Sequence, residues 1–201
     1  IRLALSHPHI EMVSLVADSN AGKPIESLYP HLANRGLPNL VDISKVDWKK
    51  IEAVFCCLPH GMTQEVVVKL PAHLKIIDLS ADFRLFDLKT YEHWYHKPHA
   101  APKFQKDAVY GLSEHFAAEI KKARLIACPG CYPTSAQLPL IPLLKEKIIE
   151  TEGIIIDAKS GVSGAGRSLK APNLFTEVNE SIRPYGLEGH RHQPEIEQGL
   201  T

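Results

Sequence analysis

The residues best suited to chemistry are Ala127-Cys128-Pro129-Gly130-Cys131-Tyr132-Pro133-Thr134. An apolar, strand-like run over 124–127 precedes them, and a helix-like stretch over 135–146 follows. Pro129 and Gly130 are expected to force a sharp turn, so Cys131 falls where a strand hands over to a helix. The free N–H groups and positive dipole end of a helix favour an anion at that point. A thiol placed there ionises more readily than a free cysteine and becomes a nucleophile at neutral pH. Two plainer readings compete. Free cysteine is commonly a packed core residue, and Cys128 with Cys131 has the C-x-x-C spacing of a dithiol redox pair. The position far along the chain, after several strands, is unlike a small thioredoxin-type domain.

A second cluster is Gly189-His190-Arg191-His192-Gln193-Pro194-Glu195. Two histidines at this spacing on an extended segment face the same side, so both can reach one site. Acid–base work, anion binding by Arg191 and metal ligation all fit these residue types. Zinc held by His190, His192 and the two cysteines, as in a zinc-stabilised interaction module, lacks the dense ligand spacing of such sites. No metal is expected. The loop from Lys159 to Arg167 (KSGVSGAGR) follows an Ile-rich run and lets backbone approach a phosphate or cofactor closely. A flexible turn explains it equally well. Asp78, Asp82 and Arg84 read as an ion-pair corner that holds a turn, and Cys56 and Cys57 as buried strand residues.

These groups need a scaffold. Residues 1–6 read as a helix tail, Glu11 to Ala17 as a strand, and 24–50 as loop-rich. Strands follow at 53–58, 75–79, 124–128 and 153–158, with helices at 62–70, 114–122 and 135–149 and a long polar loop over 80–108. Alternating strands and helices predict an α/β fold, a Rossmann-like doubly wound parallel sheet. The domain expectation is residues 1–128 for that sheet and 129–201 for part of a second α+β domain, catalytic and dimerising. In open α/β sheets ligands gather at the carboxyl ends of strands. The turns at 18–23, 59–61, 80–84 and 129–134 all occupy that place.

The bulk composition narrows the class. The chain has 201 residues, 44% hydrophobic, with a formal net charge of zero. Such balance argues against a dedicated nucleic-acid or membrane-surface protein, and no apolar run approaches a membrane span. The four cysteines, two adjacent in an apolar run and two in Cys-Pro-Gly-Cys, do not read as a disulfide framework, which points to a reducing, cytoplasmic setting. An opening at Ile1 and a last helix just begun at 194–198 suggest a fragment.

Six ordered motifs, ACPGCYPT, DLSADFRL, LPHG, YGLSE, KSGVSGAGR and GHRHQPEIEQ, resemble the N-acetyl-γ-glutamyl-phosphate reductases of the aspartate-semialdehyde dehydrogenase superfamily. The resemblance runs through nearly all of the chain. It implies NADPH-dependent reduction of an acyl phosphate to a semialdehyde in arginine biosynthesis, by a homo-oligomer. It also implies Cys131 as nucleophile, His190 as acid–base, and Arg191 and His192 as substrate contacts. Ser160 and Gly161 would lie beside the nicotinamide, and Leu58, Pro59 and His60 beside the cofactor. Asp18 stands where an acid selects NAD, whereas Ser19, Asn20 and Lys23 suit the 2′-phosphate of NADP. The family's glycine-rich phosphate turn is expected ahead of Ile1. Two positions depart from the pattern: Cys128, where Asn is more usual, and Ser135, where Ala or Gly is. Cys128 leaves a second thiol that could oxidise against Cys131.

Overall fold

A computed structural model describes residues 1–201. The chain divides into two compact units, Ile1–Val54 with Pro71–Leu74, and Phe55–Leu70 with Lys75–Thr201.

In the first unit, α1 (Arg2–Leu5) is followed by β1 (Leu15–Val16) and β2 (Leu40–Val41), a parallel pair in the register Leu15 to Leu40. The strand expected over 11–17 shortens to two residues because only Leu40 and Val41 run beside it. Short 3-10 turns fill much of 25–50. They pack Ile25 and Leu32 with Leu40 into a small core supported by Leu15, Ala17, Leu28 and Leu37.

The larger sheet, in the order β3 (Ala53–Cys56), β4 (Lys75–Asp78), β6 (Leu125–Ala127), β5 (Ala108–Tyr110), falls in the second unit from Phe55 onward. Both β4 and β5 pair parallel with β6, so their carboxyl ends share one edge. The helices are α2 (Thr63–Val67), α3 (Leu88–Tyr95), α4 (Pro102–Gln105), α5 (Ser113–Lys122), α6 (Cys131–Lys145), α7 (Phe175–Val178) and α8 (Gln193–Leu200). This is the α/β class read from the sequence.

Four local expectations need correction. The segment 80–108 is not one loop. Asp87 caps α3, its carboxylate accepting from the Thr90 N–H at 2.8 Å, and Tyr91 is fully buried. The strand β5 was not expected at all. The Ile-rich run 153–158 forms no strand, because no neighbour pairs with it, and Ile155 is 92% exposed. Cys57 is exposed, and only Cys56 is buried.

Helix α6 begins at Cys131 itself. Pro133 is tolerated because a first-turn residue has no intrahelical N–H bond to lose. Its buried face, Pro133, Ala136, Gln137 and Ile141, has the spacing of one helical stripe. Ile141 joins Tyr110 and Leu112 in a core that Leu200 of α8 also packs against. Gly199 lets α8 lie close, since a Cβ there would collide with the Gln137 side chain.

Candidate active site

The nucleophile candidate sits where β6 meets α6. Cys131 is the first helical residue and is exposed. The sharp turn expected at Pro129-Gly130 is absent. The backbone from Cys128 to Gly130 runs without turn or bend, and Gly130 is extended at φ −66°, ψ 163°. An extended connection separates Cys128 from Cys131, whereas a disulfide needs Cα atoms within about 7 Å. Cys128 is partly buried, and burial, with Asp78 nearby, pushes its thiol up from the ordinary value. The dithiol reading therefore finds no support in this geometry.

Behind this segment lies a polar network that the sequence reading did not identify. Glu195, in the first turn of α8, is 1% exposed. Its Oε1 accepts from the Gly130 N–H at 2.8 Å and from the Tyr110 hydroxyl at 2.8 Å. Its Oε2 lies 3.4 Å from Arg84 Nη1. Arg84 in turn donates from Nε to the Cys128 carbonyl at 2.7 Å and from Nη2 to the Leu79 carbonyl at 3.1 Å. Burial pushes the Glu195 carboxyl upward, while Arg84 and the two hydrogen-bond donors pull it back. The ion pair of Arg84 is thus with Glu195, not with Asp78 or Asp82 as the sequence suggested.

Those two aspartates hold turns. Asp78 accepts from the Ser80 N–H at 2.9 Å and its hydroxyl at 2.8 Å, and burial lifts its carboxyl to about 6. Asp82 accepts from the N–H groups of Gly61, Thr63 and Gln64. That carboxylate caps the start of α2 and fixes the Leu58-Pro59-His60-Gly61 turn after β3. Gly61 has φ +84°, a conformation that disfavours any other residue. His60 accepts from the Ala81 N–H through Nδ1 at 3.0 Å.

The two histidines come together, by a different route than expected. Their segment turns instead of extending, and the His192 N–H donates to His190 Nδ1 at 3.1 Å. The ring centroids are 4.8 Å apart. Tyr132, next to Cys131, meets His190 edge-on at 5.7 Å and His192 at 5.9 Å. The Tyr185 hydroxyl donates to that of Tyr132 at 2.7 Å. Burial lowers His192 to about 4, with His190, Arg84 and His60 adding to the effect. Burial and then Arg191 lower His190. Both rings are neutral at pH 7. They line a cavity of about 550 Å³ with Tyr132, Tyr185, Ile154 and Ile156.

The remaining site candidates lie elsewhere. Arg191 points over the Tyr95 ring, 5.1 Å from its centroid. Ser160 and Gly161 are exposed and open a 3-10 turn over 162–165. In the first unit, Ser19 sits in the turn after β1, where Lys23 donates to Asn20 at 3.0 Å and Asn20 donates to Ser19 at 3.5 Å. Two contributors were missed. Tyr132 was legible as the neighbour of Cys131, but Glu195 stood in a quoted motif without any local sign that its carboxylate turns inward.

Comparison with known proteins decides the lineage. The profile described as semialdehyde dehydrogenase, NAD binding domain, matches residues 1–123, and semialdehyde dehydrogenase, dimerisation domain, matches residues 131–201. The chain belongs to the semialdehyde dehydrogenase family. An Arabidopsis thaliana relative named probable N-acetyl-gamma-glutamyl-phosphate reductase, chloroplastic, is 56% identical over 201 residues, covering 100% of this chain and 50% of its own length. Relatives named N-acetyl-gamma-glutamyl-phosphate reductase from Rhodospirillum rubrum and Alkaliphilus metalliredigens are 52% and 51% identical, again across all of this chain and 58% and 59% of theirs. The chain spans about half the length of these curated relatives. No helix is long and apolar enough to cross a membrane.

Proposed function

We propose that the protein carrying this chain is a reductase that converts N-acetyl-glutamyl 5-phosphate to N-acetyl-glutamate 5-semialdehyde with NADPH, in arginine biosynthesis. The observation that carries the reading is the placement of Cys131. It is an exposed thiol on the first residue of a helix after a parallel strand, beside a tyrosine that touches two neutral histidines. The names of relatives that match the whole chain point the same way.

The first position of a helix suits an anion, and Cys131 reacts as its thiolate. The thiolate attacks the acyl carbon, a C–S bond forms, the bond to the phosphate oxygen breaks, and phosphate leaves with its electron pair. A thioester remains on Cys131. A nicotinamide, when bound, supplies the hydride that this thioester needs. His190 Nδ1 is taken by the His192 N–H, so proton exchange runs through Nε2. In the neutral ring Nε2 is the donor that meets the developing oxygen anion. Collapse of the thiohemiacetal frees the aldehyde and returns the thiolate. His192, held against Gly130, and Arg191 would contact the substrate's anionic groups.

Each unit, taken by itself, carries residues suited to part of a dinucleotide. In the second unit, Leu58, Pro59 and His60 form a turn at the carboxyl end of a parallel strand, stiffened by Asp82, and Ser160 and Gly161 are open to solvent. In the first unit, the linked Ser19, Asn20 and Lys23 side chains offer a hydroxyl, an amide and an ammonium to a 2′-phosphate. The match to a dimerisation domain supports a homo-oligomer. Four free cysteines suit a reducing compartment such as the cytoplasm.

The test is steady-state turnover of Cys131→Ser and Cys128→Ser in the longest natural form of the protein, run in reverse with semialdehyde, phosphate and NADP under reducing conditions. Cys131→Ser is expected to lose turnover nearly completely, because an alkoxide is much harder to form. Cys128→Ser is expected to retain most of it. Equal, near-complete losses would reject this reading in favour of a dithiol mechanism.

A further inference from the structure

One carboxylate touches both halves of the reactive arrangement. Glu195 holds the segment that leads into the nucleophile through the Gly130 N–H, one residue before Cys131. Its own backbone lies three residues after His192, at the start of α8, and its carbonyl accepts from Gln137 of α6 at 2.7 Å. The third donor, Arg84, ties the same carboxylate to the carbonyls that end β4 and β6. With Tyr110 added, every partner of the carboxylate belongs to an element that frames Cys131. Burying a charge this deeply is costly unless each oxygen is paired. Burial here is complete and each oxygen has a partner.

We propose that Glu195 is a positioning residue for the chemistry of Cys131, a single buried carboxylate that sets the extended segment before the nucleophile and the histidine pair in one register. The inference rests on the reductase reading for what is catalysed, though not for the geometry. Glu195 does not touch substrate. It acts through Gly130 on one side and through the path of its own helix on the other. The charged groups that face the Gly130–Cys131 segment are Arg84 from the loop after β4 and Glu195 from α8, and the titratable groups beside it are Tyr132, Tyr185 and the neutral His192.

Glu195→Gln is nearly isosteric. Its amide oxygen can still accept from Gly130, but its NH₂ meets the Arg84 guanidinium donor to donor, and the Arg84 charge is left uncompensated beside Gly130. Two readouts follow. Turnover should fall by about tenfold or more with KM changed less than about threefold, since a transition-state arrangement is lost and substrate contacts are not. Independently of any substrate, the pH midpoint for iodoacetamide alkylation of Cys131 should move down by roughly half a unit or more, because an unpaired cation now favours the thiolate. Alkylation is read by mass spectrometry in a Cys57→Ser, Cys128→Ser background. Glu195→Asp keeps the charge but is one methylene short. It should return the midpoint toward wild type without restoring turnover.

A purely structural role would lower the melting temperature and the yield of folded protein but leave the midpoint in place. An unmoved midpoint with turnover within about twofold of wild type overturns the proposal, as does full recovery of turnover in Glu195→Asp. If wild type itself shows no reductase activity, the functional reading fails, and the alkylation midpoint alone decides this one.

Discussion

Gly130→Ala isolates the contact between the segment leading into the nucleophile and the histidines. Backbone strain plays no part, because φ −66° and ψ 163° are open to any residue. What matters is space. A Cβ at Gly130 would collide with His192 Nε2, approach His192 Cδ2 to 2.8 Å, and approach Arg84 Nη1 to 3.0 Å. Arg84 is pinned by the Cys128 and Leu79 carbonyls, so His192 must yield. Overpacking of this kind costs about 1–3 kcal/mol. If the His192 ring swings out instead, the stability cost shrinks and the ring leaves its place beside His190 and Tyr132, so turnover falls. A double-mutant cycle separates these effects. Urea unfolding is followed by fluorescence with Trp48 replaced by Phe, so that Trp94 reports the second unit. Gly130→Ala should cost about 1–3 kcal/mol with His192 present and less than about 0.5 kcal/mol in a His192→Ala background. An equal cost in both backgrounds, or none in either, would refute the claim that this glycine is required by the histidine above it.

Two further outcomes can be stated. His192 is held near 4, below its ordinary 6.5, so its contribution is present above pH 6.5 and is lost as pH falls toward 4, by roughly 3 kcal/mol at most. Asp78, raised to about 6, acts with the opposite sign, favouring the fold as pH falls through that value. The measurement is therefore the difference in unfolding free energy between pH 7.5 and 5, which should be smaller in His192→Gln than in wild type; identical differences would contradict the assignment. For the cofactor, NADPH should be used more tightly than NADH, and Lys23→Ala should weaken NADPH about tenfold by removing one charged hydrogen bond, leaving NADH unchanged. Tighter use of NADH by wild type would count against the role given to the Ser19–Lys23 turn.

Much of the scaffold was legible because apolar runs such as AVFC and KIID carry the signature of buried parallel strands. Strand β5 was not, because Ala108-Val109-Tyr110 is too short to stand out and is a strand only through its pairing with β6. Residues 153–158 fail in the opposite sense: strong β propensity without a partner makes no sheet. Helix α3 was within reach, since Asp87 with Thr90 is a cap pattern ahead of Leu88 and Tyr91. The nucleophile could be picked out because its chemistry depends on local context, a thiol after Pro-Gly. Glu195 could not, because its partners Arg84, Tyr110 and Gly130 are 111, 85 and 65 residues away along the chain. Long-range polar satisfaction leaves no periodic trace.

Those same separations have a consequence for biosynthesis. A contact that closes 65 to 111 residues of chain forms only after the entropic cost of a long loop has been met. Until residue 195 leaves the ribosome, the Gly130 N–H and the Arg84 guanidinium lack their shared carboxylate, and the segment bearing His190 and His192 is barely made. The cysteine is therefore translated well before the groups that arm it. A nascent chain carries a dormant thiol until α8 docks, and the reactive arrangement appears in that single step.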